Sequence, residues 1–222
     1  MCGRYTLAAD PQAIADQFEV EPPARLAPRY NIAPTQPVLV VQHADERRVA
    51  HLVRWGLIPS WAKDTKIGNR LINARAETVA EKPAFRAALR RRRCLVPASG
   101  YYEWAVDAHG KQPWYVHAAD GSCLALAGIW EHWEHDGAVI ESCAIITCAA
   151  NARLAPVHDR MPVVIARPDY ARWLAPEHAG PAPLDLLRPA PDDAFDLYPV
   201  STRVNSPRHD APDCIAALPA PR

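Results

Sequence analysis

CLALAGIWEHWEHDGAVIESCAIIT, residues 123–147, carries two β-branched and aromatic runs joined through Asp136-Gly137. Asp-Gly between two such runs is a strong short-range signal for a β-hairpin, because the turn needs positive φ at its centre. The polar tip, with His132, Glu134 and His135, has a metal-like look but reads as the solvated end of this hairpin. Working outward, further runs rich in Val, Ile, Tyr and Trp recur between turn residues: PVLVVQ (37–42), VAHLVRWGLI (49–58), RCLVPASGYYEW (93–104), PWYVHA (113–118) and MPVVIA (161–166). Helical spacing is confined to ADPQAIADQF (9–18), KPAFRAALRRR (82–92) and PDYARWLA (168–175). The pattern predicts an α+β chain that is one β-rich domain: mainly antiparallel strands with a few peripheral helices. The Pro-rich stretch at about 176–192 reads as an insertion within that domain, because the strand-like YPVSTRVN (198–205) follows it.

The 222 residues suffice for one sizeable core, and 25 basic residues balance 25 acidic ones. Neutrality gives no overall field toward nucleic acid, so any DNA contact must be local. The N-terminus lacks the apolar run of a secretory signal, and no 18-residue apolar span occurs, so a cytoplasmic chain is expected with no membrane partner. Of six cysteines none form C-x-x-C; Cys143 and Cys148 lie in an apolar run and read as reduced core thiols, so no metal is expected. The nine glycines build neither GxGxxG nor a P-loop, which excludes a nucleotide cofactor of those kinds; no cofactor is expected. Arg90 to Arg93 reads as a charged helix end.

Cys2 follows the initiator methionine. Release of Met1 would leave an α-amine, of pKa about 7.7–8.0, beside a thiol of about 8.5. Such a pair has a distinctive reaction with aldehydes: the amine forms an imine, and the thiol, held two carbons away, closes a five-membered thiazolidine. The bland alternative is a small residue in a first strand.

MCGRYTL (1–7), RYNIAPTQ (29–36), VRWGLIPSWAKD (53–64), INARAET (72–78), Phe85, RRRCLVPASGYYEW (91–104), ALAGIW (125–130), VHDRMPVVI (157–165) and PVSTRVN (199–205) together resemble the SOS-response-associated peptidase family. The resemblance runs from Cys2 to about Asn205 and implies a fold with barrel-like sheets. It implies sensing of abasic sites in single-stranded DNA and a covalent thiazolidine link that protects the lesion during the DNA damage response. Cys2 corresponds to the nucleophile, with Asn73, Glu103 and His158 beside it; Arg4 and Arg75 match phosphate-binding positions, Pro34 and Trp61 positions against the bases. Glu103 and His158 suit acid–base work on the amine and the departing hydroxyl, and Asn73 suits positioning. The expected partner is single-stranded DNA containing abasic sites, engaged by a monomer associated with the nucleoid at damaged DNA. Release of Met1 could be autocatalytic or fall to an aminopeptidase. Two other readings stay open: a cysteine peptidase or amidase using Cys2 and His158, and a reversible single-stranded DNA binder.

Overall fold

A computed structural model of the chain describes residues 2–22, 26–44, 47–107 and 110–219. In chain order the regular elements are β1 (Tyr5–Leu7), α1 (Pro11–Phe18), β2 (Arg29–Ile32), β3 (Pro37–Ala44), β4 (Arg47–Trp55) and β5 (Asn73–Arg75). There follow α2 (Arg86–Arg91), β6 (Arg93–Ala98), β7 (Gly100–Asp107), β8 (Gly110–Ala118), β9 (Leu124–His135) and β10 (Ala138–Ala149). The last are β11 (Arg160–Pro162), α3 (Tyr170–Leu174) and β12 (Phe195–Pro199). The expectation of a β-rich α+β fold with few helices holds. Among the described residues no helix is long and apolar enough to cross a membrane.

The hairpin β9–β10 pairs continuously from Ala138 opposite His135 to Ile145 opposite Gly128. Its turn residues Asp136 and Gly137 both have positive φ, 50° and 78°, the mirror-image turn whose twist matches antiparallel strands. Strand β9 also pairs with β6, β6 with β3, β3 with β4, and β4 runs parallel to β10. Because β9 meets both β6 and β10, this sheet curls round on itself into a barrel-like ring. The second sheet has the order β12-β8-β7-β1-β2. Val40, Val41, Leu95, Leu126, Ile129 and Ile145, from four strands of the ring, are buried in one continuous core with Tyr5, Tyr101 and Val116 of the second sheet.

The chain changes sheets between β6 and β7. A methyl group on Gly100 would lie 2.5 Å from the Tyr115 ring and 2.6 Å from the Val116 carbonyl, so only glycine admits the close crossing at this corner. RCLVPASGYYEW is therefore two strands in two sheets. VRWGLI is likewise shorter as a strand than its composition suggests, because Gly56 takes φ +126° and leaves the strand. YPVSTRVN is corrected too: the strand stops at Pro199, and the Ser201 side chain caps a 3-10 turn over Thr202–Asn205. The Pro-rich stretch forms short 3-10 turns, with Leu186 buried.

The Arg90 to Arg93 run is occupied within the fold. Arg90 and Arg91 both bind Glu177, Arg92 binds Glu131, and Arg93 turns inward onto the carbonyls of Leu89, Arg90, Trp173 and Ala175.

Candidate active site

Cys2 lies three residues before the start of β1 and is fully buried. Its carbonyl accepts a 2.8 Å hydrogen bond from Asn73 Nδ2 at the start of β5. That strand is held parallel to β10, with Asn73 opposite Ile145. Alternation along three residues buries Ala74 and turns Asn73 and Arg75 to the other side, where Arg75 is exposed.

Glu103 comes from β7 and is 4% exposed. His158 stands between Val157, at the end of a turn that returns its amide to Leu154 O, and β11; its Nε2 lies 3.8 Å from Glu103 Oε2. The amide of Arg160 donates to His158 Nδ1 at 2.9 Å, which leaves the proton of the neutral ring on Nε2, facing the carboxyl. Asp159 Oδ1 is also 2.9 Å from Nδ1 and would accept from the protonated ring. Burial lowers the His158 pKa, which favours the neutral form.

Burial pushes the Glu103 carboxyl up to about 7 and the Cys2 thiol well above its usual range, with the Glu103 charge adding to the latter. Four residues from four separated stretches of chain thus form one cluster: a thiol, an amide, a carboxyl poised near neutrality and a neutral imidazole. Perturbed groups of this kind concentrate where proton transfer is carried out. A cleft of about 480 Å³ opens beside Glu103 and His158, and one wall is fixed by the Trp104 indole donating to Asn205 Oδ1 at 2.8 Å. A larger cavity of about 710 Å³, against Gln17, Cys123 and Tyr170, contains none of the candidate residues.

The residues expected to meet DNA are dispersed around this cluster. Arg4 is half-buried, with Nη1 donating to Asn31 Oδ1 and Val204 O, and burial lowers its pKa. Pro34 begins the turn before β3, where Thr35 takes φ 74°. Trp61 is 59% exposed, the one aromatic among the strongly exposed large apolar side chains of the described residues. Sequence reasoning did not single out Arg160, whose guanidinium grips both oxygens of Glu77 at 2.6 and 2.9 Å and also Thr147 O. This contact joins the segment carrying His158 to the one carrying Asn73. Its only advance signal was that both partners lie inside quoted motifs.

All six cysteines are free thiols. His132 and His135 sit at the exposed hairpin end. Among the described residues one trio could offer metal ligands, His209, Asp213 and Cys214, but its members are engaged: His209 Nε2 meets Asp213 at 2.8 Å, Arg203 binds the same carboxylate, and Cys214 Sγ donates to His209 O.

Fold and cluster together define a barrel-like β protein in which a buried cysteine stands with an amide, a carboxyl and an imidazole. The family model described as SOS response associated peptidase (SRAP) matches residues 1–207, and the chain belongs to that family. It is 41% identical to abasic site processing protein YoaM of Bacillus subtilis (strain 168), covering 98% of both chains. It is 31% identical to abasic site processing protein YedK of Escherichia coli (strain K12), over 97% of this chain and 99% of that one. To abasic site processing protein HMCES of Gallus gallus it is 34% identical, over 87% and 67% respectively. A crystal structure of a protein from Bacteroides thetaiotaomicron superposes with a TM-score of 0.87 at 26% identity, over 98% of this chain and all of that one.

Proposed function

We propose that this protein processes abasic sites in single-stranded DNA by forming a covalent thiazolidine through Cys2 after release of Met1. Abasic-site processing is what the named relatives do by their descriptions. The observation that carries the finer reading is the convergence of Asn73, Glu103 and His158 on the one cysteine whose nitrogen becomes an α-amine when Met1 leaves.

An abasic deoxyribose opens to a C1′ aldehyde. The Cys2 amine adds to it, and loss of one water gives an imine. The sulfur then bonds to the same carbon while the thiol proton passes to nitrogen, so the net change is one water released. Glu103, with a carboxyl near 7, can protonate the departing hydroxyl and recover the proton from the amine. His158, neutral with Nε2–H toward Glu103, shares that proton traffic. Asn73 fixes the Cys2 carbonyl and so the direction of the new amine. Arg4 and Arg75 serve flanking phosphates, and Trp61 with Pro34 lies against bases without reading their sequence. The protein acts as a monomer on DNA, and the same cluster is suited to releasing Met1 itself.

The test is incubation of the Met1-free protein with a single-stranded oligonucleotide carrying one abasic site, followed by denaturing electrophoresis. The shifted band is expected for the unsubstituted chain and absent for Cys2→Ala and for a chain extended before Cys2. A complex that dissolves under denaturing conditions in every case would instead support reversible binding.

A further inference from the structure

Asn31 on β2 is fully buried, and its side chain works in two directions. Nδ2 donates to three carbonyls of the segment that follows the last strand: Val204 at 3.1 Å, Ser206 at 3.0 Å and His209 at 2.6 Å. Oδ1 accepts from Arg4 Nη1 at 2.8 Å. Tyr5 of β1 pairs with Ile32 of β2, which brings these two neighbouring side chains together. The same Nη1 donates to Val204 O at 2.7 Å, so Arg4, β2 and the C-terminal segment meet at one point. The Asp210 carboxylate locks the arrangement by accepting from the amides of Tyr30 and Asn31.

A guanidinium carries five N–H bonds in one plane, and both of those on Nη1 are committed here, to Asn31 and Val204. Nε is buried with no acceptor. Nε and Nη2 share the edge of the plane opposite Nη1, with their N–H bonds side by side, the geometry that takes two oxygens of one phosphate. Anchoring of the C-terminal segment needs only Nδ2 of Asn31. Its Oδ1 does something separate, which is to fix a long cationic side chain in one orientation with that edge left over.

We propose that Asn31 is a positioning residue for DNA: it holds Arg4 by Nη1 so that the Nε–Nη2 edge is presented to one phosphate flanking the abasic site. This rests on the reading of Arg4 as a phosphate ligand. Arg4 is then ordered when the chain folds instead of when DNA binds, so less freedom is lost on binding. The buried Nε–H gains its acceptor in the complex, which adds to the affinity.

The Met1-free chain, Asn31→Ala, Arg4→Ala and Arg4→Lys are titrated by fluorescence anisotropy with a single-stranded oligonucleotide carrying tetrahydrofuran, an abasic analogue without an aldehyde, so that only reversible binding is read. Each phosphate flanking the analogue is replaced in turn by a neutral methylphosphonate. For the unsubstituted chain one replacement is expected to weaken binding roughly tenfold. Asn31→Ala and Arg4→Ala should both lose most of that discrimination, at the same phosphate, because the two residues act as one unit. An Asn31→Ala chain that discriminates as fully as the unsubstituted one overturns the proposal, since a residue that only anchors 204–209 leaves Arg4 coupled to its phosphate. If no replacement weakens the unsubstituted chain, or if Arg4→Ala still discriminates fully, the reading of Arg4 has failed and the proposal falls with it. Arg4→Lys keeps the charge but has no side-by-side N–H pair, so its binding is expected to weaken about tenfold at an unchanged salt slope. Lysine binding as tightly as arginine overturns the presented edge, even where Asn31→Ala does not fold.

Discussion

At the scale of single residues, Glu103 makes the sharpest demand on pH. Its folded carboxyl is raised to about 7, whereas an unfolded glutamate titrates near 4.3. The folded state therefore binds the proton more tightly, so the contribution is intact below about 4 and is lost as pH rises through 7. Glu103→Gln cannot ionise. In chains matched for Met1, its urea midpoint should gain on that of the unsubstituted protein between pH 5 and pH 8, and parallel midpoints would contradict the raised carboxyl. Asn73→Ala removes the bond to the Cys2 carbonyl, which should cost about 1 kcal/mol of stability. Its crosslinking rate should fall further, on the order of tenfold or more, because a small misplacement of a nucleophile is costly. Cys2 was legible in the sequence because its position before a removable methionine has a chemistry of its own. The side chains around it were legible only through their motifs. Glu103 and His158 lie 55 positions apart, and nothing local to either says that their side chains approach to 3.8 Å. The Arg160–Glu77 clamp and the Asn31 bond to Arg4 are tertiary facts of the same kind.

At the scale of elements, the long strands declared themselves by composition and bounded turns, and Asp136-Gly137 located the main hairpin. The short strands β1, β2 and β5, among others, did not, because three or four residues show no periodicity and their pairing is set by the neighbours they meet. Of these, β5 carries Asn73 and Arg75, and β1 follows directly on the segment with Cys2 and Arg4. The end of β4 at Gly56 was hidden for a related reason: a methyl group there would come within 2.6 Å of Gly68 O, a contact between distant segments. Gly100 plays the corresponding part at the corner between the sheets. Gly100→Ala should destabilise the fold by about 1–3 kcal/mol, since the Val116 carbonyl it meets belongs to a paired strand and cannot move aside. Equilibrium urea unfolding measures this, and a midpoint equal to that of the unsubstituted chain would show that the corner has room.

At the scale of the whole molecule, balanced charge leaves the DNA encounter to a few local cations. If Arg4 and Arg75 each hold one phosphate, the reversible step on single-stranded DNA should show a log–log salt slope of about −1.4, and Arg75→Ala should halve it. Titration of an unmodified oligonucleotide by fluorescence anisotropy measures the slope, and a value several times steeper would mean a broad basic interface. The curled sheet and the second sheet share one core, so the amide and the carboxyl are held on β5 and β7, and the cysteine and the imidazole on the short segments that lead into β1 and β11. The central claim is the bond made by Cys2, and intact-mass analysis of the nuclease-trimmed adduct tests it most directly. A thiazolidine gives the mass of protein plus abasic nucleotide minus one water, unchanged by borohydride, with Cys2 closed to alkylation. An adduct that gains two hydrogens with borohydride, or whose Cys2 still alkylates, would be an imine alone and would contradict it.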